Sequence, residues 1–410
     1  MGRGRRLCRL PAAPVHLDRD DQRALLEELV TARLQVLVRG DPDDARRVLA
    51  ELADKSIHLE LTARAIWHHL EREGHPPRDL AGNPALKARL NKDADRFVKR
   101  LRRRLPADIQ IARREAAQIL RAINGGDRYV VVTGGAGMGK SLVLAQVITD
   151  VRARGWSVLP LRADRIPNSD SPEALGRAMD LPASPITVLA GVSHGEPALL
   201  VIDQLDAVSE ISGRNVDRFD VFEDLTHDAA LHSGLHVLVL IACRRFDLEN
   251  DSRLRQLTAD EDTTTVDVAK LSDDEVRTTL ATAGAADSQL DARLLKLLRV
   301  PLHLSLYLEL RRGGSADPSK SRSLQDLYGC YWDAKQLACE QRRGGADQWT
   351  TVVDRLVEEM NRRQALSVPY IPLRDDYRAQ VDAMVSEGVL DLDDRHIGFF
   401  HDTFLALLYN

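Results

Sequence analysis

The chain has 410 residues, of which 44% are hydrophobic and 29% charged, and its 57 Lys and Arg against 62 Asp and Glu leave a formal net charge of −5. This length and apolar content suit a folded protein of two or three domains and exclude a disordered or fibrous one. The near balance of charge excludes bulk steering of the whole molecule toward nucleic acid or membrane, so any such role falls to local patches.

Four cysteines, Cys8, Cys243, Cys330 and Cys339, form no C-x-x-C pair and no metal-ligand spacing, which fits a reducing cytoplasm. The opening Met-Gly-Arg-Gly-Arg-Arg is basic, but Pro11, Pro14, His16 and Asp18 come too soon after it for an apolar stretch to form, so export is not expected. Apolar runs such as 235–243 fall far short of the roughly 20 residues that cross a bilayer. The expectation is a soluble protein without a membrane partner.

In chain order, positions 1–84 read as an N-terminal helical region, with apolar residues such as Leu25, Leu29, Val48, Leu52, Ile66 and Leu70 at helical spacing and a break at Gly40-Asp41-Pro42. Residues 74–84 carry three prolines and two glycines and read as a hinge. Positions 85–108 read as a basic linker helix, with Lys99, Arg100, Arg102, Arg103 and Arg104 clustered before Pro106. From 109 to 270 short apolar strands alternate with helical patterns: 129–133, a helix after Gly139, then 158–161, 198–202, 235–242 and 263–268. Such alternation predicts an α/β domain with a parallel sheet of five strands. Positions 271–368 read as a helical lid, with helices over 275–310 and 324–366. Positions 369–410 read as a winged helix: a helix over 374–387, strands 388–390 and 397–400 paired about Asp393-Asp394, and a short helix over 402–408.

The stretch Gly134-Gly135-Ala136-Gly137-Met138-Gly139-Lys140-Ser141 fits the phosphate-loop pattern G-x-x-x-x-G-K-[ST] and lies between an apolar strand and a helix, where the chemistry needs it. Glycines let successive backbone N–H groups point at phosphate oxygens, and the helix N-terminus, continuing into Leu142, adds partial positive charge. Lys140 is expected to hold the β- and γ-phosphates of ATP, and Ser141 to give its hydroxyl to Mg²⁺. Leu199-Leu200-Val201-Ile202-Asp203 puts an acid at the end of a buried strand, where Asp203 is expected to hold the same Mg²⁺ through water from a neighbouring strand. Asp206 has two readings, a base orienting the attacking water or a helix cap. Arg244, after the apolar run 238–243, either senses the γ-phosphate or pairs at the surface with Asp247 or Glu249.

With Arg299-Val300-Pro301-Leu302 and Phe399-Phe400-His401-Asp402-Thr403-Phe404, these motifs resemble the STAND class of signal-transduction NTPases, especially NACHT-like bacterial members, over 109–410. The resemblance implies an ATP/ADP switch with slow ATPase activity, in which Pro301 packs near the base and His401 of the winged helix touches the diphosphate at rest. His401 between Phe400 and Phe404 also fits a core residue. Family members commonly carry a second acid directly after the position of Asp206, whereas this chain has Ala207, so slow hydrolysis is expected. Nucleotide-dependent self-assembly and a trigger from a phage protein or a separate sensor chain are implied by resemblance, as is a setting in antiphage defence. A repeat-built sensor usually comes after the winged helix, so a fragment, or a chain served by a partner sensor, is expected. The alternatives are an AAA-type remodelling ATPase on DNA and a nucleotide-binding scaffold without hydrolysis. Nucleic acid is the less favoured partner: the run 99–104 lacks the aromatics that stack on bases, and the helix 374–387 carries Asp375, Asp376, Asp382 and Glu387.

Overall fold

The computed structural model describes residues 19–56, 63–78, 80, 83–102, 111, 113–167, 169–193, 196–209, 219–231, 237–258, 263–285, 290–314, 317–343, 348–363, 365–392 and 396–400. Contacts divide the chain into two compact units, Met1–Asp79 and Leu80–Asn410. The first holds helices α1 (Arg19–Leu37), α2 (Pro42–Lys55) and α3 (Ala63–Arg72) around Leu34, Val38, Ala45 and Leu70. The break before α2 comes from its sequence: the Asp41 side chain accepts from the Asp43 N–H and Pro42 occupies the first helical turn, where its missing donor costs nothing.

The second unit opens with α4 (Pro84–Arg102) and α5 (Arg114–Gly125), then winds through β1 (Tyr129–Thr133), α6 (Lys140–Ala153), β2 (Ser157–Arg162), α7 (Pro172–Ala178), α8 (Pro185–Ser193) and β3 (Ala198–Asp203). It continues with α9 (Phe219–Leu231), β4 (Val237–Ala242), α10 (Arg245–Asn250), α11 (Ser252–Leu257) and β5 (Thr263–Asp267). The five strands pair in parallel in the order β2-β3-β4-β1-β5. β1 and β3 are buried along their whole length, as near-continuous apolar strands in a sheet covered on both faces must be. The five-strand reading therefore holds, with ends shifted by a residue or two. One expectation changes: β4 lies between β1 and β3, so the acid-tipped strand is not the immediate neighbour of the strand before the loop. Sequence order says nothing of this, because crossover helices let consecutive strands insert out of order.

The helix read as a basic linker is packed instead. Ala94, Phe97, Val98 and Leu101 of α4 are buried in one core with α6 and the sheet, at the i, i+3, i+4, i+7 spacing of a single helix face. Arg152 of α6 donates to Asp95 at 2.6 Å alongside. The basic residues mask this stripe in the sequence because they share the helix with it on other faces; Arg103 and Arg104 lie outside the described residues.

Beyond the sheet come α12 (Asp273–Thr282), α13 (Ala292–Leu298), α14 (Pro301–Gly313), α15 (Leu324–Arg343) and α16 (Trp349–Arg362), so each long helical stretch read from the sequence is broken. Next are β6 (Val368–Pro369), α17 (Tyr370–Ser386), β7 (Leu390–Leu392) and β8 (His396–Phe399). β7 and β8 form the expected antiparallel pair, and β6, too short to carry a strand pattern, adds a third strand in the order β6-β8-β7. The lid and the winged helix, read from the sequence as separate domains, share one apolar core from Leu271 to Phe400, which Ile111 also joins. The expected helix over 402–408 lies outside the described residues.

Candidate functional site

After Thr133 the chain turns at Gly134 and curls through the loop into α6. Gly134 has φ 151°, and a Cβ there would meet the Val268 carbonyl oxygen at 3.0 Å; Gly137 has φ 71°, and its Cβ would meet Leu302 at 3.1 Å. Glycine is the residue that tolerates both the left-handed backbone and the close approach. The loop ends at Gly139, the N-cap of α6, which makes no side-chain capping bond. First-turn N–H groups are thus left to a ligand, and the positive end of a 14-residue helix faces the loop. That is an anion cradle.

Lys140 Nζ donates to the carbonyls of Gly134 at 2.9 Å and Gly135 at 3.1 Å, so its amine lies across the mouth of the loop. Burial pushes the amine below the usual lysine range, while the charges of Asp206 and Asp203 pull it back. Ser141 Oγ donates to the Asp203 carboxylate at 3.0 and 3.3 Å. The two residues meet although β4 lies between β1 and β3: Ser141 stands in the first turn of α6, where the loop ends, and its hydroxyl reaches the carboxylate at the tip of β3. Burial raises the Asp203 carboxyl above its ordinary range, with Arg162 and the Ser141 hydroxyl opposing the shift. A buried carboxylate facing a hydroxyl at the mouth of an anion cradle is a hard-oxygen pair suited to a divalent cation. Ser141 and Asp203 therefore fit Mg²⁺.

Asp206 sits in a buried 3-10 turn, Leu205–Val208. Neither helix cap nor lone base describes it fully: its Oδ1 accepts from the Arg244 N–H at 3.1 Å, and its Oδ2 lies 3.1 Å from Arg244 Nε. Arg244 thus pairs with Asp206, while Asp247 accepts from Ser209 at 2.6 Å and Arg245 pairs with Asp267. The Cys243 thiol between these strands is pushed up to about 12, chiefly by burial, which keeps it protonated and inert.

These groups line one cavity. Ala136, Gly137, Met138, Gly139, Lys140, Ser141 and Leu142 form its floor, Asp203, Gln204, Asp206 and Arg244 one wall, and Leu101, Pro301, Leu302 and Ser305 the other. Pro301 begins α14, and the Leu302 N–H donates to the Gly137 carbonyl at 3.2 Å, so the lid rests directly on the loop. His401 lies outside the described residues. Leu101, Gln204 and Ser305 were not legible as cavity residues; Arg162, whose charge acts on Asp203 from outside the cavity lining, gave one signal, a charged residue closing the apolar run of β2 as Asp203 closes β3.

Residues 107–299 match the family model described as Novel STAND NTPase 1. No curated protein matches the chain. Among solved structures, the ORC2 protein of Aeropyrum pernix, in ADPNP-ADP complexes, is 14% identical, with 74% of this chain and 94% of that one covered at a TM-score of 0.39. The Walker-type ATPase of Pyrococcus abyssi is 12% identical, covering 72% and 95% at 0.38, and Cdc6p of Pyrobaculum aerophilum is 11% identical, covering 72% and 92% at 0.34. Loop, acid-tipped strand and family match fall in the same stretch of sequence: residues 107–299 form a P-loop NTPase domain similar to the STAND NTPases that the family model describes.

Proposed function

We propose that the chain binds ATP in this cavity, hydrolyses it slowly, and uses the bound nucleotide to set whether the lid and winged helix stay docked. The observation that carries the reading is the meeting of Ser141 with Asp203 at 3.0 Å beneath the loop that Lys140 spans. Backbone N–H groups of the loop and the first turn of α6 bind the phosphates, and Lys140 swings from the Gly134 and Gly135 carbonyls to the β- and γ-phosphates. Mg²⁺, held by Ser141 and Asp203, supplies charge neutralisation at the phosphate oxygens. Asp206, as carboxylate, orients the attacking water and accepts its proton; Arg244, already hydrogen-bonded to it, stabilises charge on the transferred phosphoryl group. With Ala207 in place of a second acid, one carboxylate does this work and turnover is slow.

The switch rests on Leu302 and Pro301 sitting against the loop: a ligand filling the cavity biases the lid only through contacts that differ between the docked and released states. Release of the lid then exposes surfaces through which copies assemble, and a trigger, such as a phage protein or a separate sensor chain, acts by favouring release. Self-assembly and a role in antiphage defence rest on the STAND resemblance alone. Fluorescence titration with a labelled ATP, with and without Mg²⁺, tests the site: binding is expected to need the loop and to strengthen with the metal, and an Asp203→Asn protein that keeps the full Mg²⁺ effect overturns the metal assignment. Light scattering tests the switch: one identical size with ADP and with a slowly hydrolysed ATP analogue removes it.

A further inference from the structure

Arg162 closes β2 directly opposite Asp203 in the parallel register, and its side chain is 8% exposed. Its Nε and Nη2 donate to Asp164 at 3.0 and 2.9 Å, and Nη2 also donates to Gln204 Oε1 at 2.7 Å. Gln204 links Asp203 to the turn that holds Asp206, and it does so at φ 60°, ψ 42°, a left-handed conformation that costs a non-glycine residue free energy unless its surroundings hold it. The Arg162 hydrogen bond is such a hold. The remaining nitrogen, Nη1, is buried and has no hydrogen-bond partner among the described residues; it lies 3.8 Å from Asp391 Oδ2 on β7 of the winged helix. Arg165 donates to the same Asp391 oxygen at 2.9 Å, and Arg100 of α4 lies 3.7 Å from its other oxygen. One carboxylate from the wing is thereby set among three guanidinium groups from the sheet side.

We propose that Asp391 is the latch of the docked winged helix and that Arg162 is a positioning residue through which the latch acts on the Asp203–Asp206 turn. With the wing docked, Asp391 shares the charge of Arg100, Arg162 and Arg165, and Arg162 keeps its planar fork on Asp164 and Gln204. When the wing departs, three buried or half-buried cations lose the carboxylate they share. The Arg162 fork then reorients toward the acids that remain, and Gln204 loses its hold. Docking is thus read at the acid-bearing turn across about one side chain's length, without contact between the wing and any bound nucleotide. The inference rests on the proposed function only in taking Asp203 and Asp206 as site acids.

The test is hydrogen exchange on the full chain without nucleotide, which keeps it independent of whether the site binds ATP. Asp391→Asn is expected to raise exchange several-fold both in peptides of 390–399 and in the peptide spanning 203–208. Arg162→Gln is expected to raise it at 203–208, and in that background Asp391→Asn adds no further change there. Asp391→Glu, which keeps the charge, is expected to restore protection at both places. Exchange that rises in the wing while 203–208 stays at the wild-type rate, or additive effects of the two substitutions at 203–208, overturns the coupling. Should Asp391→Asn lose its far-ultraviolet circular dichroism, Arg100→Gln removes the most exposed arm of the latch; a smaller rise at both places supports the proposal, and no change at either overturns it.

Discussion

The sheet domain and the lid–winged-helix body are each built on an apolar core, and the seam between them adds a charge cluster to a smaller apolar contact, in which Leu142 of α6 packs against the lid core. On one side, Val130, Val132, Leu144, Ile148, Leu199 and Val201 pack with α4 and α5. On the other, Leu280, Leu304, Leu308, Leu356, Val381 and Ile397 form a single cluster across the lid and the winged helix. The second body is also pinned internally: Lys335 of α15 lies 2.5 Å from Glu309 of α14 and donates to the Glu387 carbonyl just past α17. The seam holds Asp391 among its arginines and the Leu302 N–H on Gly137. Burial within a body scales with apolar area at about 25 cal/mol per Å², whereas the net contribution of the largely buried Asp391 pairs is their mutual attraction less the cost of taking both charges out of water. On the proposed switch reading, the two bodies part without either unfolding, and a ligand's differential affinity for the docked and released states supplies the few kcal/mol.

Substitutions on each side sharpen or break that contrast. Lys140→Ala removes the amine that spans the loop and should weaken nucleotide binding by about 100-fold or more, about 2.8 kcal/mol at 1.4 kcal/mol per tenfold, in a fluorescence titration; an unchanged Kd removes the site assignment. Asp206→Asn should lower phosphate release on the order of 10²-fold while binding stays nearly constant. Equal turnover would leave Asp206 as no more than the partner of Arg244. Gly137→Ala addresses the seam itself, adding a left-handed alanine and a contact with Leu302; a loss of about 1–2 kcal/mol is expected in denaturant unfolding. Gly155→Ala, at φ 90° with nothing within 4 Å, carries the backbone penalty alone, so equal losses in the two proteins would show that Leu302 does not press on the loop.

The smallest effect concerns Asp228 on α9, whose carboxyl is raised to about 7, first by burial and then by Glu173 and Asp224. Its folded pKa lies above the unfolded value, so the native state holds the extra proton and stability falls as pH rises from about 4 to about 7. Asp228→Asn should flatten that decline and stabilise the protein by about 1 kcal/mol at pH 8, after discounting for solvent screening, with little gain at pH 4. Thermal unfolding at the two pH values reads the difference, and an equal gain at both would mean the carboxyl titrates normally.

The candidate site was legible where its chemistry is local. A loop whose glycines, lysine and serine occupy consecutive positions between strand and helix announces itself, and so does an acid after four buried apolar residues. Arg244 was visible as a strand-end cation, but not its partner, since Asp206 reaches it from 38 residues away. The basic stretch before the sheet hid a core helix because Ala94, Phe97, Val98 and Leu101 are spaced one helical turn apart among charged neighbours. Asp391 carried no signal in the sequence, and Arg162 only that of a charged residue closing an apolar strand: nothing pairs them until 229 positions of chain bring them within 3.8 Å.

The sequence by itself determined the five strands, the phosphate loop and the residues that flank it, since hydrophobic period and glycine placement act over a few residues. Tertiary structure alone decided that β4 separates β1 from β3, that the lid rests on Gly137, that Arg244 faces Asp206, and that one wing carboxylate gathers three arginines. Strand order and charge pairing depend on which distant segments pack together, and that depends on the sum of many weak burials, which no short stretch of residues encodes.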